Sequence, residues 1–272
     1  MTYISAIVIT KNEEKHIGVA LKSLKLIADE IIVVDSGSTD QTKNIAQEYT
    51  DKFFYHEWDG YGNQKNFALQ QTKGDWILQI DADEEITEEL AKEIKSTISN
   101  TNSDFIWLTI VTEFLGKTLK HLAGKNLRLF RKSTGQWDDK KVHEQVRRNK
   151  DFSTVKFGDS DSQILENKLV HHSHYQTLKD YYDRQEKYTT ADAQEMQKTG
   201  KDRSGKVIQV NRGNPFSVFI FLYGRAIKQF VRKFFKQLGF LDGCQGILWC
   251  LVSSQYEYKM CRKYLNLQNK NK

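Results

Sequence analysis

Trp76-Ile77-Leu78-Gln79-Ile80-Asp81-Ala82-Asp83-Glu84-Glu85 begins as a short apolar run and ends in acid. The run from Trp76 to Ile80 reads as a buried strand, bounded by Gly74 on one side and the acidic cluster on the other. Open α/β sheets bind ligands at the carboxyl ends of their strands, where Asp81 and Asp83 fall. Two aspartates separated by one residue can aim at a common point beyond the strand end. Carboxylate oxygens there suit a hard divalent cation, Mg²⁺ or Mn²⁺, that also holds phosphates. The plainer reading is a solvated helix start, because Thr87-Glu88-Glu89 follows and acids favour helix N-termini. It accounts for Glu84 to Glu89, but poorly for Asp81 directly behind an apolar run. A bare Asp-x-Asp is weak evidence by itself, so the rest of the chain decides.

Upstream, the chain alternates strands and helices. Tyr3 to Thr10 is rich in β-branched residues and reads as a strand. Lys11-Asn12-Glu13-Glu14 opens a helix in which Ile17, Ala20, Leu21, Leu24 and Ile27 recur at helical spacing. Glu30 to Val34 is a second strand, its nearly continuous apolar run suited to burial on both faces. It ends in Asp35-Ser36-Gly37-Ser38-Thr39-Asp40, and Ser38, Thr39 and Asp40 are good caps for a helix from about 41 to 49. Lys52 to His56 is a third strand and Asn63 to Thr72 a helix. This alternation means βαβ units and a parallel sheet. Thr10 to Glu13, Asp35 to Asp40 and Asp81 to Asp83 therefore follow strands on one edge. A carboxylate after the second strand can bond a ribose or a base edge. Neither GxGxxG nor GxxxxGK[ST] is present, which excludes the dinucleotide and P-loop patterns.

Composition sets the outer bounds. The 272 residues suffice for one large α/β domain with an appendage, and 39% hydrophobic with 28% charged residues is an ordinary globular composition. No run of 18 apolar residues exists, so no membrane-spanning helix is expected. The start shows no signal peptide, and three cysteines, Cys244, Cys250 and Cys261, without metal-ligand spacing point to reduced thiols in the cytoplasm. Residues 201–272 hold 14 Lys and Arg against 3 Asp and Glu, a net of +11, which leaves −5 for the first 200. A basic tail on an acidic body suggests that the tail meets something anionic.

Four blocks stand out together: VITKNEE at 8–14, DEIIVVDSGSTDQT at 29–42, WDGYGNQKNFAL at 58–69 and GDWILQIDADE at 74–84. In this order and spacing the chain resembles glycosyltransferase family 2, the inverting GT-A enzymes. Within it, the chain resembles the branch that adds sugars to lipopolysaccharide inner core, often described as β-1,4-glucosyltransferases. That branch carries the same GxxxQKN block and a later VHE. The resemblance implies that Thr10, Asn12 and Glu13 line the nucleotide pocket and that Asp35 binds the uracil or ribose. It places Gln64, Lys65 and Asn66 along the nucleotide sugar, with Lys65 near the diphosphate; read alone, Lys65 is a solvated helix lysine. Asp81 would touch the ribose or metal-bound water and Asp83 would ligate the metal, which neutralises the leaving diphosphate.

Downstream, Thr87 to Ser99 is an amphipathic helix, Phe105 to Phe114 a strand, and Arg128 to Arg131 another. Gly116 to Asn126, with Lys117, Lys120, His121 and Lys125, reads as a loop over the active site. Inverting transfer needs a base that deprotonates the acceptor hydroxyl as it attacks the anomeric carbon. Glu144, in Val142-His143-Glu144, is the first candidate and Asp139 the second; the plainer reading of Glu144 is a strand-end carboxylate. Leu169-Val170-His171-His172-Ser173-His174 can ligate a metal or contact a phosphate, or be a surface turn. His171 lies closest to where the family places a late histidine at the metal. Tyr175 to Thr199 is a polar helix.

Lys198 to Asn211 is a polar linker. Asn214 caps a helix with Pro215 at its first turn. Phe216, Phe219, Ile220, Tyr223, Ile227, Phe230, Val231, Phe234 and Leu238 form one stripe, and Arg225, Lys228, Arg232, Lys233 and Lys236 another. No acid falls between Gly213 and Leu241, which fits a membrane interface better than a solvated basic face. Gly239 to Gly243 turns the chain, and Ile247 to Leu265 is a last helix.

The expectation is therefore an α/β fold: a GT-A, Rossmann-like domain with a mostly parallel sheet at 1–205, then a basic amphipathic helical tail at 206–272. The expected function is inverting transfer of a hexose, from UDP-glucose, to a lipid-anchored saccharide such as lipopolysaccharide core. The protein would be peripheral on the inner face of the cytoplasmic membrane, with an anionic membrane surface as partner and no nucleic acid. A nucleotidyltransferase would instead carry a Gly-rich phosphate loop where Lys11-Asn12-Glu13-Glu14 stands. A non-catalytic membrane adaptor would keep the tail but not need Asp35, Asp83 and Glu144 together.

Overall fold

Apolar runs become strands wherever both of their faces can be covered. In a computed structural model, which describes residues 2–139, 144–172, 177–203 and 205–270, Ile4–Thr10 (β1), Glu30–Asp35 (β2), Phe53–Tyr55 (β3) and Trp76–Asp81 (β4) lie side by side in the order β3-β2-β1-β4, all parallel. Alternation decides which residues face which layer. Ile4, Ala6 and Val8 pack with Ile17, Leu21 and Leu24 of Ile17–Leu24 (α1), with Ala46 of Thr42–Gln47 (α2) and with Leu90 and Ile94 of Glu88–Asn100 (α4). Ile7 and Ile9 face the other way, onto Ala68 of Tyr61–Gln70 (α3) and Trp137. Helices thus cover both faces, as parallel strands require.

Four further strands complete the eight-stranded sheet: Glu84–Ile86 (β5), Phe105–Phe114 (β6), Lys117–Arg131 (β7) and Ser162–His171 (β10), in the order β4-β7-β6-β10-β5. Gly135–Trp137 (β8) and Val146–Arg148 (β9) form a separate small hairpin. The segment 116–126, expected as a loop, is most of β7. Leu115 and Gly116 take φ of 50° and 75°, and two successive residues of positive φ make the tight turn that joins β6 directly to β7. The basic residues there occupy outward positions of a strand. The VHE residues Val142 and His143, and His174 of the histidine cluster, lie outside the described residues.

Packing divides the chain into two compact units, residues 1–111 with 123–172, and residues 112–122 with 173–272. The second unit contains Leu178–Thr199 (α5), Pro215–Phe219 (α6), Arg225–Val231 (α7) and Gly243–Lys270 (α8). Thr177 caps α5 in a reciprocal box with Asp180, and Asn214 accepts from Phe216 N at 2.9 Å ahead of α6. Gly246 approaches the Gly239 carbonyl so closely that a Cβ would lie 2.1 Å from its oxygen, so only glycine fits there. Among the described residues no helix is long and apolar enough to cross a membrane.

One buried carboxylate ties this unit together. Asp242, in the 3-10 turn Gly239–Asp242, accepts from the backbone N–H groups of Lys120 at 3.0 Å, His121 at 3.0 Å and Leu122 at 3.2 Å. The His121 ring Nδ1 lies 2.9 Å away, and Lys117 Nζ donates to the Asp242 carbonyl at 2.7 Å. Asp242→Ala strands several donors at once, each costing roughly 1–3 kcal/mol when buried. The expected loss is about 3 kcal/mol, with Asp242→Asn between it and the parent, read as lower urea midpoints by circular dichroism.

Candidate functional site

The parallel register sets the site before any side chain is considered. Thr10 pairs with Asp35 and Ile9 with Asp81, so the ends of β1, β2 and β4 meet within one step at the carboxyl edge. The loops beyond them are laced together. Asn12 takes a φ of 56°, which asparagine tolerates, and its N–H donates to Ser38 Oγ at 2.8 Å. Its side-chain oxygen accepts from Thr39 N at 2.8 Å, while Glu13 N donates to Thr42 Oγ1 at 2.7 Å. Asp35 closes its own turn: Oδ2 accepts from Gly37 N at 2.9 Å and Ser38 N at 2.8 Å, and Oδ1 from the Ser38 hydroxyl. Gly37 sits at φ 91°, a conformation that this turn reserves for glycine. Among the described residues the buried Thr10 hydroxyl has no hydrogen-bond partner, an orphan of the kind that a bound ligand satisfies.

Beyond β4 the chain doubles back. β5 pairs antiparallel with β10, matching Glu84 with His171 and Glu85 with Val170. This brings together residues 88 apart: His171 Nε2 lies 3.2 Å from Asp83 Oδ2, and His172 N donates to the Asp83 carbonyl at 2.8 Å. Burial pulls the His171 imidazole down, but Asp83, Glu84 and Asp81 outweigh it, and its pKa is raised. His172 turns aside to Glu85, Nε2 to Oε2 at 2.7 Å. No group of three or more His, Cys, Asp or Glu suited to a metal occurs among the described residues. The carboxylate of Asp83 and the imidazole of His171 are donors of the kind that Mg²⁺ or Mn²⁺ accepts, and such an ion would need waters or other oxygens to complete its shell.

Arg128, which sequence reading passed over, underlies this edge. The β4–β7 register, Leu78 against Leu129, sets Arg128 opposite Gln79. Its guanidinium reaches Asp81 Oδ2 at 2.7 Å and Glu84 Oε1 at 2.5 Å, and also donates to the side-chain amide oxygen Oε1 of Gln79. Glu84 accepts from Asp81 N at 2.8 Å. Desolvation pushes the Asp81 carboxyl up, yet the charges of Arg128 and Lys65 hold it down, at about 2. For Glu84 burial prevails over Arg128, and its pKa is raised. Only the position of an arginine inside an apolar strand, Leu127-Arg128-Leu129-Phe130, could have signalled this role.

The Gln64-Lys65-Asn66 block divides by task. Gln64 is buried and spends both ends of its amide on His56, its Oε1 accepting from the ring Nδ1 at 2.7 Å and its Nε2 donating to the main-chain carbonyl at 3.0 Å. Asn66 clasps Trp137 through both main-chain groups, at 2.8 and 2.9 Å. Lys65 Nζ pairs with Glu144 Oε1 at 2.5 Å, both side chains largely buried. The two base candidates thus differ: Glu144 stands against Lys65, whereas Asp139 is exposed.

Comparison with known proteins follows the same residues. The profile of glycosyl transferase family 2 matches residues 5–157. An uncharacterized glycosyltransferase of Rickettsia bellii (strain RML369-C) is 52% identical over 101 residues, 37% of this chain and 34% of its own length. The lipopolysaccharide core biosynthesis glycosyltransferase LpsC of Rhizobium meliloti (strain 1021) is 37% identical over 153 residues, 53% of this chain and 56% of its own. The chain spans about a third of the length of the first curated relatives it matches. Among solved structures, S. aureus TarS 1-349 in complex with UDP aligns over 96% of this chain and 89% of its own at 18% identity, with a TM-score of 0.48.

Proposed function

Because the chain belongs to glycosyl transferase family 2, we propose that its GT-A unit transfers a hexose with inversion, from UDP-glucose, to a lipid-anchored saccharide such as lipopolysaccharide core. The observation that carries this reading is the meeting of Asp83 with His171, at 3.2 Å, on the edge that also holds Thr10, Asp35 and Asp81. Asp35 and the laced loops around Asn12 and Glu13 would receive the uridine, with the orphaned Thr10 hydroxyl beside them. Asp83 and His171 would hold Mg²⁺ or Mn²⁺, and Asp81 would meet the ribose or a metal-bound water. When bound, the ion supplies Lewis-acid neutralisation of the departing diphosphate. Lys65 would turn its ammonium from Glu144 to that diphosphate, leaving Glu144 to take the acceptor's proton. LpsC, named for lipopolysaccharide core biosynthesis, supports the acceptor class. An acceptor anchored in lipid places the protein at the anionic inner face of the cytoplasmic membrane.

A donor screen tests this. Purified protein is incubated with UDP-, GDP- and CMP-sugars, with Mn²⁺ or EDTA, while nucleotide release and thermal shift are recorded. The expected result is a shift with one UDP-sugar that disappears in EDTA and in Asp83→Ala. Silence toward every nucleotide sugar would leave the family's fold without its reaction.

A further inference from the structure

The helical run 215–236 is apolar on two sides. Its inner side packs within the second unit: Phe221 and Ala226 are buried, and Phe230 and Phe234 join Cys250, Val252 and Trp249 of α8. π-Helical turns at Ile220–Gly224 and Arg232–Lys236 widen the helix, so this side advances by five residues from Phe221 to Ala226. The widening also redistributes the stripes expected from α-helical spacing. Phe230 and Phe234 turn inward. Lys233 lies 5.3 Å from the Trp249 ring, and burial pulls its amine down to about 8. Arg225 pairs with Asp202 at 2.8 Å.

What remains outside is a second apolar stripe. Phe216, Ile220, Tyr223, Ile227, Val231 and Phe235 follow one another at three- or four-residue steps, each between 42% and 69% exposed. One residue further round, Lys228, Arg232 and Lys236 form an exposed row in register with Ile227, Val231 and Phe235. The apolar surface continues onto α8 at Leu251, beside an open groove of about 470 Å³ that Tyr223 shares with Tyr258. An apolar stripe that stays exposed over six successive positions marks a contact with a partner or a membrane. A two-fold pairing of this face with a second copy would bring the three cations near their own counterparts, with no acid between 213 and 241 to relieve them. An anionic bilayer offers acyl chains to the stripe and negative headgroups to the row beside it.

We propose that the second unit docks on an anionic lipid bilayer through this outer face, with Ile227, Val231 and Phe235 inserted and Lys228, Arg232 and Lys236 on the headgroups. The inference deepens the acceptor side of the proposed function by naming the docking surface, and it rests on that reading only for its purpose. The test is flotation of the full chain with vesicles of phosphatidylcholine alone or mixed with phosphatidylglycerol. Flotation is expected with the anionic vesicles and release in high salt. Changing Lys228, Arg232 and Lys236 together to Gln is expected to weaken partition about 100-fold, about fivefold per cation. Ile227→Asp with Phe235→Asp is expected to abolish it. These side chains are exposed, so thermal unfolding and the donor-induced shift should stay at parental values in both variants. Parental protein that stays soluble, or flotation indifferent to both sets of changes, overturns the proposal. A dimer in light scattering that Phe235→Asp dissociates, without vesicle binding, would give the face to a second copy. Failed flotation with an intact donor response sinks the docking alone; flotation without any donor response sinks the transferase reading alone.

Discussion

Glu144→Gln is expected to lower kcat about 1,000-fold while leaving the donor-induced thermal shift in place. A positioned general base contributes about 10²–10⁴-fold, and glutamine keeps the shape of the side chain but cannot take a proton. The variant also removes the anion paired with Lys65 at 2.5 Å. In the proposed reading a bound diphosphate would replace that anion, so donor affinity should survive. Lys65→Met should show the opposite split, a raised KM for the donor with a smaller effect on kcat. Single-turnover rates beside donor titrations distinguish the two. If Glu144→Gln keeps kcat within a few-fold of the parent and Asp139→Asn does not, the base is Asp139.

Arg128→Leu is expected to destabilise the first unit by about 3–5 kcal/mol, the usual result of removing one partner from a buried ion pair. Glu84 is 3% exposed and faces the guanidinium at 2.5 Å; without it, the carboxylate keeps, among the described residues, the Asp81 N–H alone. Asp81 and Gln79 lose the same guanidinium. Arg128→Lys should recover little, because one ammonium cannot fork to three acceptors. Combining Arg128→Leu with Glu84→Gln should recover a substantial part, since the uncompensated charge is gone. Urea midpoints of the single and double variants give the coupling. A midpoint for Arg128→Leu near that of the parent would mean that water or rearrangement already serves these carboxylates.

Much of the α/β unit could be read from local pattern. The runs Ile4–Thr10, Glu30–Asp35 and Trp76–Asp81 are buried on both faces, and such strands announce themselves as apolar blocks between turn residues. β7 could not be read this way, because Lys117 to Lys125 presents its basic residues outward and only Leu119 and Leu122 inward. The tight turn at Leu115-Gly116 was its one local sign. The site divides along the same line. Asp35 and Asp81 end strands and Asp83 lies just beyond one, so position in the chain places them. The partnerships of His171 with Asp83 and of Arg128 with Glu84 depend on antiparallel pairings that bridge 88 and 44 residues, which no local period encodes. In the helical run 215–236 the pattern itself misled: a stripe drawn at 3.6 residues per turn assigns Phe230, Phe234 and Lys233 to the wrong side once two turns widen.

Asp242 meets N–H groups that lie 120 to 122 residues earlier in the chain. A ribosome adding about 5–20 residues per second makes the end of the β6–β7 hairpin some 6–24 s before it makes the carboxylate. Through that interval Phe114, Leu119 and Leu122 have no α8 to cover them, and the donors of 120–122 have only water. The hairpin is thus the first part of its unit to be born and among the last to be finished. A messenger broken ahead of the Asp242 codon would release a chain whose first unit can be whole while this end still waits, an exposed apolar signal for the chaperones and proteases that survey unfinished proteins.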